Sequence, residues 1–271
     1  MLKIIDMFIS VNISYISILD FYSYAFLPII YYPDRHMMGY MTGIRLTWLG
    51  HSCFQIDAAD ITVLIDPFIT GNPLATVQAE DLEPDIIAVT HGHADHLGDT
   101  VSIAKRTDCT VVCIHEISKY LNQKGIKTAG MNIGGTVELE GILFTMTDAH
   151  HSSSIDESGW GFDGGRAAGF VINSGKTSIY HAGDTGLFGD MELIAKLYHP
   201  DVAILPIGGR FTMDSKDAAL AVEIIDPRIA IPMHYNTFDA ISQDPNVFKS
   251  YVNRLSDADV EIMEIGSFII L

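Results

Sequence analysis

Asp85-Ile-Ile-Ala-Val-Thr90 followed at once by His91-Gly92-His93-Ala94-Asp95-His96 is an apolar run that delivers three imidazoles and one carboxylate within six positions. Neutral imidazole and carboxylate are the donors that Zn²⁺ and its first-row neighbours select, and a site that also holds solvent can make hydroxide at neutral pH. On a strand, side chains two apart share a face, so His91 and His93 can converge on one ion, while a turn at Ala94 sends Asp95 and His96 elsewhere. The spacing predicts two adjacent metals rather than one, with hydrolysis as the leading chemistry. A histidine-rich surface loop is the competing, functionless reading of the same residues.

One short loop cannot close the coordination of two ions, so further donors must arrive from other parts of the chain. Ile142-Leu-Phe-Thr-Met-Thr147 ends in Asp148-Ala-His150-His151, Thr177-Ser-Ile-Tyr180 ends in His181-Ala-Gly-Asp184, and Ile229-Ala-Ile-Pro-Met233 ends in His234. Each reads as a strand carrying polar residues to one edge of a sheet.

The apolar runs predict strands at 44–49, 61–65, 86–89, 111–114, 142–147, 170–173, 178–180, 202–205, 229–231 and 267–271, and helices at 99–106, 116–123, 190–198, 215–225 and 245–255. Asp244 before Pro245 offers an N-cap with proline at the first helical position, and His199-Pro200 and Asp226-Pro227 stop the helices before them. Runs such as Ile86-Ile-Ala-Val89 show little polar alternation, as expected of strands covered on both faces in a layered α/β protein.

From about residue 44 to the end, the chain resembles the metallo-β-lactamase superfamily. The residues that carry the resemblance are Trp48-Leu-Gly-His51-Ser52, Leu64-Ile-Asp66-Pro67-Phe68, Thr90-His-Gly-His-Ala-Asp-His-Leu-Gly-Asp99, Tyr180-His-Ala-Gly-Asp-Thr185, Leu205-Pro-Ile-Gly-Gly209 and Pro232-Met-His-Tyr-Asn236. Together they are similar to uncharacterised metal-dependent hydrolases grouped near the ascorbate-phosphate lactonases. The resemblance implies an αββα four-layer sandwich with two divalent metal ions, Zn²⁺ first and Mn²⁺ second. It implies that His91, His93 and His151 hold one metal, Asp95, His96 and His234 the other, and that Asp184 bridges them. His150 and His151 point to opposite sides of an extended strand end, and the resemblance selects His151 as the ligand.

His181 beside Asp184 reads as a group that orients a ligand. Asp66 before Pro67 reads equally as a turn former and as a partner of a ligand. His51 follows a strand and a glycine, where it can be a substrate contact or proton donor, or a structural histidine. Asp95, His51 and Asp184 are the catalytic candidates: Asp184 bridging, Asp95 or His51 passing a proton to the leaving group of a lactone, ester or phosphoester attacked by a metal-held hydroxide. Alternatives are a phosphodiesterase or nuclease, a di-iron redox enzyme and a non-catalytic metal-binding protein. The related di-iron reductases resemble a pattern with Glu where this chain has His93, and imidazole there favours zinc chemistry.

The 271 residues carry 16 basic and 34 acidic side chains, a formal charge of −18 with no basic run. Nucleic-acid binding relies on clustered Lys and Arg, so a nucleic-acid partner is disfavoured and a small-molecule substrate, anionic ones included, is expected. Arg166 and Arg210, in glycine-rich loops, are candidate anion contacts against a reading as solvated arginines. Cys53, Cys109 and Cys113 form no even framework, which fits a reducing cytoplasm and burial as small apolar residues.

Residues 1–42 differ in composition, rich in Ile, Phe and Tyr but interrupted by Asp6 and Asp20, so their apolar stretch falls short of the roughly 20 residues a membrane span needs. Only Lys3 supplies an n-region charge and no cleavage site follows, which argues against a secretory signal. The segment reads as an extension to a hydrolase domain at 43–271. An ordered interaction strand, a loose tail and translation from upstream of a start at Met38 or Met41 are the readings open, and the last is the expectation.

Overall fold

The computed structural model describes residues 43–157 and 160–271; the 1–42 extension lies outside the described residues. The first half runs β1 (Arg45–Gly50), β2 (Cys53–Ala58), β3 (Ile61–Ile65), β4 (Ile86–Ala88), α1 (Ala94–Leu97), α2 (Thr100–Thr107), β5 (Thr110–Ile114), α3 (His115–Gln123), β6 (Thr128–Met131), β7 (Thr136–Leu139) and β8 (Ile142–Asp148). The second half runs β9 (Ser154–Glu157), β10 (Trp160–Asp163), β11 (Ala168–Asn173), β12 (Ser178–His181), α4 (Met191–Tyr198), β13 (Val202–Pro206), α5 (Ser215–Ile225), β14 (Ile229–Met233), α6 (Pro245–Leu255), β15 (Asp259–Val260) and β16 (Phe268–Ile270).

The strands form two seven-stranded mixed sheets, ordered β16-β1-β2-β3-β4-β5-β6 and β15-β14-β13-β12-β11-β8-β7, with β9 and β10 as a separate hairpin. Helices α2 and α3 pack on the first sheet at β5 and β6; α5 packs on β13 of the second, with α4 and α6 against α5. The inner faces share one apolar core that includes Leu46, Phe54, Ile87, Phe144, Phe170, Tyr180 and Ile204. This is the αββα layering that the resemblance implied. Burial of these strands on both sides explains why β4, β5 and β13 lack polar alternation.

Strand direction decides where the polar residues gather. In the second sheet β8 and β12 both run antiparallel to β11, and β13 and β14 run parallel to β12, so β8, β12 and β14 all end at one edge. In the first sheet β4 is parallel to β3, and β2 is antiparallel to it, so the β1–β2 turn and the ends of β3 and β4 also share one edge. His51, Asp66, His91, His151, Asp184 and His234 each lie just beyond one of these strand ends.

The helix punctuation behaves as its chemistry requires. Asp214 and Asp244 accept backbone N–H bonds at the starts of α5 and α6, and α4 and α5 end on His199 and Asp226 in the left-handed conformation, directly before prolines. The expectation that His91 and His93 lie on a strand is corrected, since β4 ends at Ala88; the turn expected at Ala94 is a one-turn helix, α1, with His93 at its N-cap position and no side-chain cap bond. It ends at Gly98, with φ of 41°, a position only glycine can fill because a Cβ there would run into the carbonyl of Pro67. All three cysteines are buried free thiols, and among the described residues no helix is long and apolar enough to cross a membrane.

Candidate metal centre

The edge described above brings all seven sequence-derived ligands together. Their donor atoms fall into groups within 4.8 Å: His91, His93 and His151; His91, His96 and Asp184; and Asp95, His96 and His234, joined by His51. His91 Nε2 lies 3.0 Å from His93 Nδ1, His96 Nε2 3.3 Å from Asp184 Oδ1, His234 Nε2 3.0 Å from Asp184 Oδ2, and His151 Nε2 3.6 Å from Asp184 Oδ2. Ligands about 2.1 Å from one ion sit about 3.0 Å apart at right angles and about 3.4 Å apart in a tetrahedron. The spacings match edges of such coordination polyhedra. His96 Nε2 and Asp184 Oδ1 are also buried and, despite their proximity, bond to nothing among the described residues. Polar atoms left unpaired in an interior need a partner, and a cation between them satisfies both. The donor set fits divalent ions.

Three of the imidazoles are aimed by what holds their other nitrogen, while His234 Nδ1 is buried with no partner among the described residues. Asp66 Oδ2 accepts from His96 Nδ1 at 2.8 Å, Thr90 Oγ1 lies 3.0 Å from His91 Nδ1, and Ser152 Oγ lies 3.3 Å from His93 Nε2. Asp66 also accepts from Thr90 N and Thr90 Oγ1 at 2.8 and 2.7 Å, and its own backbone takes φ of 45°. It is thus both turn and orienting partner. His181 is corrected in detail: it does not touch a donor side chain but donates to or accepts from backbone, at Ser52 O (3.0 Å) and Gly183 N (3.2 Å), pinning the loops that carry His51 and Asp184. His150 is more than half exposed and stacks on Phe188, leaving His151 as the member of the pair that reaches the site.

Electrostatics acts differently on the several donors. Burial pushes the imidazoles of His91, His93 and His151 down, and neighbouring histidines add to this, so at neutral pH they are uncharged and carry a free lone pair. Burial opposes ionisation of Asp184, yet His234 and His96 hold its carboxyl well below the usual carboxylate range. Burial would lower His96, but Asp184 and Asp66 on either side push it well above the usual histidine range. Burial pushes His51 down to about 4 despite its contact with Asp95. Against burial, that contact and the nearby His96 hold Asp95 well below its ordinary value.

The surroundings add residues that sequence reading missed. Thr90, Thr237 and Ser152 hold imidazole nitrogens, and Ser153 accepts from Gly92 N at 3.1 Å, fixing the first loop. Phe68 and Phe238 place ring centroids 5.6 and 5.9 Å from that of His51. A serine or threonine next to a ligand is a local signal for Thr90 and Ser152; none exists for Thr237. Arg166 is committed to Asp148 through two 2.8 Å bonds, and Arg210 lies over Phe211, 5.4 Å from its ring centroid.

Known proteins place this geometry in a family. The β-lactamase superfamily domain matches residues 45–234. A UPF0173 metal-dependent hydrolase of Methanosarcina mazei is 58% identical over 229 residues, 84% of this chain and 99% of that protein. Another, of Methanopyrus kandleri, is 52% identical over 225 residues, 82% of this chain and 98% of its own length. The solved structure of Igni18, a metallo hydrolase of the hyperthermophilic archaeon Ignicoccus hospitalis, aligns with a TM-score of 0.78 at 41% identity, covering 85% of this chain and 99% of that one. The chain belongs to the β-lactamase superfamily and, within it, to the UPF0173 metal-dependent hydrolases.

Proposed function

We propose that the chain hydrolyses a small lactone, ester or phosphoester with two divalent ions, Zn²⁺ ahead of Mn²⁺. The observation that supports this is the ring of inward-facing donor atoms spaced 3.0–3.6 Å apart at the sandwich edge. His91, His93 and His151 would hold one ion, Asp95, His96 and His234 the other, with Asp184 between them. Such an ion supplies Lewis acidity, which makes water acidic near neutral pH and polarises the attacked carbonyl or phosphoryl oxygen.

The remaining work falls to the chain. Asp66, Thr90 and Ser152 hold His96, His91 and His93 so that the reacting geometry is formed before substrate arrives. The Asp95 side chain is 33% exposed where His96, Asp184 and His234 are buried, so it is the carboxylate that can pass a proton between the site and solvent. Phe68 and Phe238 form an apolar wall beside His51, suited to the carbon skeleton of a small substrate rather than to a polyanion. A charge of −18 likewise disfavours nucleic acid.

The test is turnover by chain loaded with Zn²⁺ or Mn²⁺ on a panel of lactones, carboxylic esters and bis(p-nitrophenyl) phosphate, beside His93→Ala. Metal-dependent turnover that the variant loses while keeping its fold supports the reading. Inertness of the loaded protein across the panel counts against the substrate class, and stoichiometric iron with visible absorption counts against hydrolysis.

A further inference from the structure

We infer that His51 is a metal ligand of the site formed by Asp95, His96 and His234, with Thr237 as the outer partner that aims it. The inference rests on the two-metal reading above and changes the role of His51 from proton donor to coordinating group.

Three observations carry it. First, position: fully buried His51 offers a ring nitrogen within 4.8 Å of the donor atoms of Asp95, His96 and His234, and its Nε2 lies 3.3 Å from Asp95 Oδ2. That separation is long for a hydrogen bond between imidazole and carboxylate, which settles at about 2.7–2.9 Å. It is the spacing of two ligands on one ion, equal to that between His96 Nε2 and Asp184 Oδ1. Second, tautomer: His51 Nδ1 lies 2.8 Å from Thr237 Oγ1, a full-strength bond. With the proton on Nδ1 and donated to Thr237, the Nε2 lone pair faces inward. His96 with Asp66, His91 with Thr90 and His93 with Ser152 show the same device, one nitrogen on an oxygen and the other turned to the site.

Third, the backbone is held for this purpose. His51 and His234 both take left-handed conformations, φ of 54° and 56°, which are strained for a non-glycine residue. His51 O accepts from both Trp48 Nε1 at 3.0 Å and His234 N at 3.1 Å, so the two strained residues are tied together and their rings lie 4.1 Å apart. A surface contact for substrate would need none of this over-determination. A ligand shared with His234 does.

The consequence is an unequal pair of sites. One draws on His91, His93, His151 and Asp184; the other on His51, Asp95, His96, His234 and Asp184. Five protein donors would leave the second ion fewer open positions than the first.

The deciding experiment is a crystal structure of the Zn²⁺-loaded full chain with anomalous data, beside metal analysis of His51→Ala and Thr237→Val after washing with a weak chelator. The expected result is His51 Nε2 about 2.0–2.3 Å from one of two anomalous peaks. His51→Ala should keep one ion per chain and lose the other, and Thr237→Val should weaken that ion about 10–100-fold. Two ions with His51 Nε2 more than 3 Å from both would overturn the inference and leave the two-metal reading standing, as would a His51→Ala variant that keeps both ions at full affinity and loses only turnover. A loaded wild-type chain with no bound ion would remove the reading on which the inference rests. If His51→Ala does not fold, the wild-type peak positions decide alone.

Discussion

Asp66→Asn changes one atom and tests how the site is aimed. Asp66 Oδ1 accepts from Thr90 N at 2.8 Å, while Oδ2 accepts from Thr90 Oγ1 at 2.7 Å and from His96 Nδ1 at 2.8 Å. An amide has a single acceptor atom. With that oxygen toward Thr90 N, its NH₂ faces His96 Nδ1, and the imidazole must move its proton to Nε2, the atom that would ligate. With the amide reversed, two N–H donors meet where Asp66 and Thr90 are both 0% exposed. The first arrangement removes a ligand; the second leaves a buried donor unpaired at about 1–3 kcal/mol. Outer partners of metal-bound imidazoles are worth about 10–100-fold in affinity. At 1.36 kcal/mol per decade that is about 1.4–2.7 kcal/mol. Titrating metal-free wild type and variant with Zn²⁺ against a competing indicator measures it directly, with thermal unfolding of the metal-free proteins as the fold control. One ion should weaken by one to two decades and the other should change little. Unaltered affinity for both ions in a folded variant would refute the claim that Asp66 sets the tautomer of His96.

Other expectations follow from the same geometry. His93→Ala should lower hydrolytic turnover by more than the roughly 100-fold assigned to an outer partner, with circular dichroism unchanged, because His93 is only half buried. Stripping the metals should lower Tm: binding at a thousandfold excess over Kd contributes about 4.1 kcal/mol, or about 8–16 °C for a domain of this size, read by calorimetry with and without chelator. Burial pushes the Cys113 thiol up to about 12, so the neutral form dominates at every pH below that. Alkylation of Cys113 should therefore stay negligible as pH rises from 7 to 9 until the chain unfolds. Phe238→Ala, opening the wall beside His51, should raise KM for apolar esters more than it lowers kcat.

What the sequence discloses depends on whether the cause of each feature is local. The bounds of β3, α5 and α6 follow from Ile61–Ile65, from Asp214 and from Asp244-Pro245, and the structure reproduces them. Strand β2 is hidden because Gln55, which donates to Asp57, and Asp57, which also accepts from Thr62, break an apolar run that is otherwise buried on both faces. Strands β6, β7, β9 and β10 are short and polar or half exposed, and α1 is a single turn with no period to read. The donors His91, His151, Asp184 and His234 are legible because each follows an apolar run that had to be a strand. Which imidazole a distant partner aims is not: Thr237 is 186 positions from His51, and Asp66, already a candidate partner of a ligand, is 30 from His96. Such pairings are set by the order of strands in two sheets, which no stretch of sequence records.

Two divalent ions at the edge of the sandwich are the central proposal. Elemental analysis of the chain purified without added chelator, beside Asp184→Ala, measures this most directly. Two equivalents of zinc or manganese per wild-type chain, falling to one or none in a folded Asp184→Ala, is the predicted result. A wild-type chain without bound divalent metal, or a variant that keeps both ions, would contradict it.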